Sequence, residues 1–113
     1  MPLAILIVDD EPLMRLSIAD ALEALGHEVA TAATGTEGIE QVRQRGFDVV
    51  ITDLRLPGAD GLAVLKAAKD ARAQTDVVMI TAHGSVETAV GAMKLGAFDY
   101  ITKPFNMDEL LLI

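Results

Sequence analysis

Three uninterrupted apolar runs, each passing directly into polar residues, constrain this chain more than any other feature: ILIVDDEP from Ile5, DVVITDLRLPG from Asp48 and VVMITAHGS from Val77. A strand with one wet face alternates polar and apolar side chains, whereas consecutive apolar residues suit a strand covered on both faces, as in a parallel sheet between helices. Two further runs complete the set, so strands are predicted at 4–8, 28–32, 48–52, 77–81 and 98–102. Between them the apolar spacing turns helical. Met14, Ile18, Leu22 and Leu25 outline a first helix stopped by Gly26. TGTE opens a second, with Thr34 as cap, Glu37 closing a capping box, and Ile39 and Val42 on one face. Leu62 and Leu65 mark a third. Ser85 caps a fourth, whose inner stripe is Val86, Ala89, Val90 and Met93, with Gly96 behind it. Strand and helix alternating in this way predict a doubly wound α/β sheet. NMDELLLI begins as a capped fifth helix, Asn106 with Glu109 three residues on, and is read as truncated after about two turns. The expected organisation is one domain over residues 1–113, without an output domain.

Composition narrows the function classes. A formal charge of -8 speaks against direct nucleic-acid or anionic-membrane binding, since both attract basic patches. The absence of cysteine excludes disulfides, thiol chemistry and zinc-thiolate sites, and fits a cytoplasmic protein. The start LAILIV has no basic residue before it and runs straight into Asp9 and Asp10, which does not fit a signal peptide. No run approaches transmembrane length.

Open parallel sheets bind ligands outside the carboxyl ends of their strands, and the polar residues collect there: Asp9, Asp10 and Glu11 after the first strand, Asp53 after the third, Thr81 after the fourth, Lys103 after the fifth. Neighbouring strands lie about 5 Å apart, so three aspartates would share a small space and repel unless a cation intervenes. Mg²⁺ answers this, being held typically by one or two carboxylates with a phosphate and retained waters. Beside such an ion and a lysine, the Asp53 carboxylate can attack phosphorus to give an aspartyl phosphate. The Thr81 hydroxyl can then donate to a phosphoryl oxygen where none stood before, which makes a switch.

ILIVDDEP, VVITDLRLPGADG, VMITAHGS and GAFDYITKPF together resemble the response-regulator receiver domain of two-component signalling, in the expected order over nearly the whole chain. The resemblance implies a flavodoxin-like sheet of order 2-1-3-4-5, a phosphoryl group taken from a sensor histidine kinase onto Asp53, and a domain that assists its own phosphorylation and dephosphorylation without being an enzyme. It implies Mg²⁺ held by Asp9, Asp10, Asp53 and the Arg55 backbone carbonyl, Lys103 as the phosphoryl-binding lysine, Thr81 and Tyr100 as switch residues, and a cis bond between Lys103 and Pro104. It also implies a homodimer or effector surface formed by the fourth helix, fifth strand and fifth helix. TDLRLPGADG with TAHGSVETAVGAMKLGAFDYITKPF is similar to receivers of NtrC-like regulators, which implies an output in cis comprising an ATPase acting on sigma-54 polymerase and a DNA-binding domain.

Plainer readings stand beside these. Asp10 or Glu11 before Pro12 would serve as a helix cap, Thr81 as a β-branched strand residue, Tyr100 as a strand aromatic, and Lys103 as a solvated lysine; only the constellation lifts them. His27 and His83 lack a partner at ligand spacing; His83, two beyond Thr81, is read first as a surface histidine, with a place on the site's rim as the alternative. Arg55 is expected on the surface, and Met14, Met79 and Met93 in the core. Three other functions compete. A Mg²⁺-dependent phosphatase of the haloacid-dehalogenase type needs a second acid two residues after the nucleophile, where this chain has Arg55. A nucleotide or flavin module needs a phosphate-cradling first loop, and Asp9, Asp10 and Glu11 would repel it. A receiver-like binding module that takes no phosphate has no use for the full set of polar residues.

Overall fold

The computed structural model describes residues 2–81 and 86–103. Its elements run β1 (Ala4–Val8), α1 (Pro12–Ala24), β2 (Glu28–Ala32), α2 (Gly35–Gln44), β3 (Val49–Asp53), α3 (Gly61–Ala71), β4 (Asp76–Thr81), α4 (Val86–Lys94) and β5 (Asp99–Thr102). The strands form one parallel sheet in the order β2-β1-β3-β4-β5.

Alternate residues of each central strand feed opposite layers, which explains the unbroken apolar runs. Leu6, Val8, Val50 and Met79 join Val42 of α2, Val64 and Leu65 of α3 and Ala92 of α4 in one core. Ile5, Ile7, Ile51, Val78 and Ile80 join Ile18 and Leu22 of α1 in the other. Helices therefore cover both faces, as the apolar pattern predicts. Among the described residues no helix is long and apolar enough to cross a membrane.

Several local expectations shift. Strand β3 runs one residue later than 48–52: Asp53 enters it opposite Ile80, while Asp48 stands at its entrance, its N–H bonded to Ala4 O at 2.8 Å and its carboxylate accepting the Ala4 N–H at 2.8 Å. Strand β4 gains Asp76, and β5 begins after Phe98, whose ring is exposed. Leu25 lies past the end of α1 and is exposed, since the turn at Gly26 (φ 91°) carries the chain away from the core. Thr34 caps α2 through the Glu37 N–H, but the Glu37 carboxylate reaches back to the Ala33 N–H, one residue before the capping-box position. On α4 the small Ala92 is buried while Val90 and Met93 face outward, so the predicted stripe is rotated and Met93 is not core. Ser85, His83, Pro104 and the expected fifth helix lie outside the described residues.

Candidate functional site

Three strand ends carry the site. Asp9 extends β1, its N–H still bonded to Ala32 O at 3.1 Å, and the residue is buried at 2% exposure. Asp53 closes β3 at 7% exposure. Lys103 follows β5, with its N–H donated to Thr81 O at 2.7 Å. The lysine stem then spans the strand edges to bring Nζ 2.9 Å from Asp53 Oδ2, 3.3 Å from Glu11 Oε1 and 3.6 Å from Asp9 Oδ2. Asp10 is exposed but near: Asp9, Asp10 and Asp53 each offer a carboxylate oxygen within 4.8 Å of the others.

The turn between β1 and α1 explains why Asp9 faces inward. Pro12 starts α1 with φ preset, and Glu11 occupies the cap position without making a side-chain cap bond. Asp9 Oδ1 accepts the Glu11 N–H at 2.8 Å instead, and Arg15 Nη1 donates to the Asp9 carbonyl at 2.8 Å. At the other acid, Asp53 Oδ1 accepts the Arg55 N–H at 3.3 Å, and the Thr52 hydroxyl donates to the Asp53 carbonyl at 3.0 Å. Gly61 approaches that same carbonyl so closely that a Cβ there would overlap it.

Electrostatics match the crowding. Burial pushes the Asp9 carboxyl above its ordinary range, partly offset by the Glu11 N–H and the Lys103 charge. For Lys103 burial works downward, but the hydrogen bond and charge of Asp53, with the charge of Asp9, outweigh it and hold the ammonium above the usual lysine value. Three carboxylates thus contact one permanent cation with a fourth close by, an excess of negative charge that a further cation would relieve. An all-oxygen donor set suits a hard ion of the Mg²⁺ kind.

Of the residues predicted from sequence, Asp9, Asp10, Asp53 and Lys103 come together. Thr81 is buried at the end of β4, one position beyond Ile80, the register partner of Asp53. Arg55 is exposed, as expected. Tyr100 is half-buried on β5, packs against the α2–α3 core and shares a 2.8 Å hydrogen bond with Thr88 of α4. The Lys103–Pro104 bond and His83 lie outside the described residues. His27 has a structural contact, its Nδ1 accepting the Leu3 N–H at 3.1 Å. Sequence reading missed the Glu11 contact with Lys103, the Arg15 bond to Asp9 and the Thr88 bond to Tyr100. Glu11 belongs to the acidic cluster read from the sequence, whereas the Arg15 bond depends on the backbone of the β1–α1 turn and the Thr88 bond on the packing of α4 against β5, neither of which spacing encodes.

Residues 5–113 match the family model of the response regulator receiver domain. The chain belongs to that family. It is 43% identical over 106 residues to the transcriptional regulatory protein TcrA of Mycobacterium tuberculosis, covering 94% of this chain and 42% of that protein. It is 40% identical over 103 residues to the DNA-binding transcriptional regulator NtrC of Escherichia coli, covering 91% and 22%. A crystal structure of a CheY-like receiver from Methanospirillum hungatei superposes with a TM-score of 0.94 at 35% identity, covering 99% of this chain and 90% of that one. The receiver therefore spans less than half the length of these two regulators. Membership places it among phosphoacceptor signalling domains and leaves the phosphatase and phosphate-free readings disfavoured. The Asp9, Asp10 and Asp53 cluster fits the Mg²⁺ site typical of such domains.

Proposed function

We propose that Asp53 is the phosphoacceptor of this receiver, taking its phosphoryl group from the phosphohistidine of a sensor kinase. The observation that carries the reading is the Lys103 ammonium 2.9 Å from a buried carboxylate beside two other aspartates. An Asp53 carboxylate oxygen forms the new bond to phosphorus as the bond to the imidazole nitrogen breaks, and the imidazole keeps the bonding electron pair. Lys103 stabilises negative charge on the phosphoryl oxygens, and the Arg55 N–H keeps the carboxylate aimed. Asp9, Asp10, Asp53 and the Arg55 carbonyl would hold Mg²⁺. When bound, Mg²⁺ supplies charge neutralisation among the acids and at the phosphoryl oxygens.

Thr81 and Tyr100 relay the change, Thr81 by donating to a phosphoryl oxygen and Tyr100 by exchanging its contact with α4. A shift from 1:99 to 99:1 between two states needs about 5.5 kcal/mol of differential stabilisation. The affected surface centres on α4 and β5, together with the fifth helix expected from the sequence; Val90 and Met93 of α4 are exposed there and suit a second receiver or an effector. We place the receiver as one domain over 1–113, in the cytoplasm, controlling an output in cis. Likeness to NtrC supports a sigma-54-linked ATPase and a DNA-binding domain as that output. Exposure to a small phosphodonor tests the proposal: uptake of one phosphoryl group should require Mg²⁺ and vanish in Asp53→Asn, and uptake without either dependence counts against it.

A further inference from the structure

We infer that Arg15 is a positioning residue for the cation site, acting through the Asp9–Asp10 peptide and not through its charge. The inference rests on the metal reading above. The carbonyl that Arg15 Nη1 holds at 2.8 Å belongs to the peptide linking the two acids. A rotation of that peptide would turn the buried Asp9 and the exposed Asp10 relative to Asp53 together.

Local structure leaves this peptide in need of support. Its helix starts at Pro12, which has no N–H to donate, and the cap residue Glu11 makes no side-chain cap bond, its carboxylate facing Lys103 instead. Asp9 fixes the turn from within through the Glu11 N–H, and Ala32 fixes it from β2. Arg15, half-buried one turn into α1, contributes the bond from the helix, six residues along the chain from its acceptor. Its guanidinium thus ties the rigid body of α1 to the one peptide that carries two candidate ligands. Groups that orient ligands from behind in this way typically change metal affinity by about 10–100-fold when removed.

Coulomb's law gives the opposite sign for any role resting on charge. Removing a cation beside an acidic cluster makes the cluster more attractive to Mg²⁺. The positioning role predicts that affinity falls. Calorimetric titration of the wild-type chain, Arg15→Met and Arg15→Lys with MgCl₂, alongside thermal unfolding of each, separates the two. Arg15→Met should bind Mg²⁺ roughly tenfold more weakly than wild type. Arg15→Lys, which keeps a cationic donor on a long stem, should recover most of the loss. Phosphorylation by a small donor should follow the same order at limiting Mg²⁺ and converge at saturating Mg²⁺, a split that general loss of stability would not produce. Unchanged or tighter binding in Arg15→Met overturns the inference while leaving the metal site intact. If Arg15→Met does not fold, Arg15→Lys decides: near wild-type affinity supports the hydrogen-bond role, and a loss as large as tenfold contradicts it. Absence of Mg²⁺ binding by the wild-type chain would instead sink the metal reading, and this inference with it.

Discussion

Lys103 reaches Asp53 across 50 positions of sequence, its ammonium 2.9 Å from the carboxylate of a different strand. That contact makes the lysine both counter-ion and competitor. It offsets the crowded acids, and in the proposed function the same charge then serves the phosphoryl group. Replacing Lys103 with Met should tighten Mg²⁺ binding, because a cation is lost, yet slow phosphorylation by a small donor by about a hundredfold, the lower end for removing one oxyanion donor. Parallel calorimetry and rate measurements check this; an unchanged rate would remove the assigned role.

Gly61 faces the backbone of Asp53, the proposed phosphoacceptor. A Cβ on it would overlap the Asp53 carbonyl, and the Gly61 N–H is already committed to Leu54 O at 2.8 Å. Gly61→Ala should cost about 1–3 kcal/mol by overpacking and displace Asp53, so that phosphorylation slows beyond what lost stability explains. Denaturant unfolding with a phosphorylation assay under fully folded conditions measures both effects.

The Thr88 and Tyr100 hydroxyls, 2.8 Å apart, join α4 to β5. A double-mutant cycle of Thr88→Val and Tyr100→Phe should return a coupling of about 1 kcal/mol in the unphosphorylated protein. If Tyr100 exchanges this contact on activation, the coupling should shrink after phosphorylation. Equal coupling in both states would remove Tyr100 from the relay.

Asp48 links three segments at the opposite ends of the strands. The Ala4 N–H, and then the Arg72 guanidinium, hold its carboxyl below the ordinary range. A depressed native pKa adds stability above the unfolded value of about 3.9, and that stability is lost as pH falls through the lower native value. Asp48→Asn keeps an acceptor for Ala4 but gives up the charge. Its acid-unfolding curve should therefore be flatter below about pH 4, with lower stability near neutrality. An unchanged curve would contradict the assignment.

The central strands and the acid cluster were legible because burial on both faces leaves unbroken apolar runs, and a strand's last residue faces the ligand crevice by topology alone. The part played by the Asp48 side chain is not legible, for a physical reason. Its carboxylate is held by Ala4 and Arg72, 44 and 24 residues away, and no local pattern encodes those bonds. Helix α4 misled in another way. Its larger side chains suggested the inner face, yet the small Ala92 packs inward, leaving Val90 and Met93 to the surface. Lys103 was legible as a site residue only within the whole constellation, and its triple contact with Asp53, Glu11 and Asp9 emerged from the fold.

The most direct measurement of the central claim locates the phosphoryl group itself. After exposure to a phosphodonor with Mg²⁺, borohydride reduces an aspartyl phosphate to homoserine, which peptide mass spectrometry then assigns to a position. Homoserine at position 53, and at no other, is the predicted result. Homoserine at Asp9 or Asp10, or a stable phosphate on a hydroxyl side chain with position 53 unmodified, would contradict it.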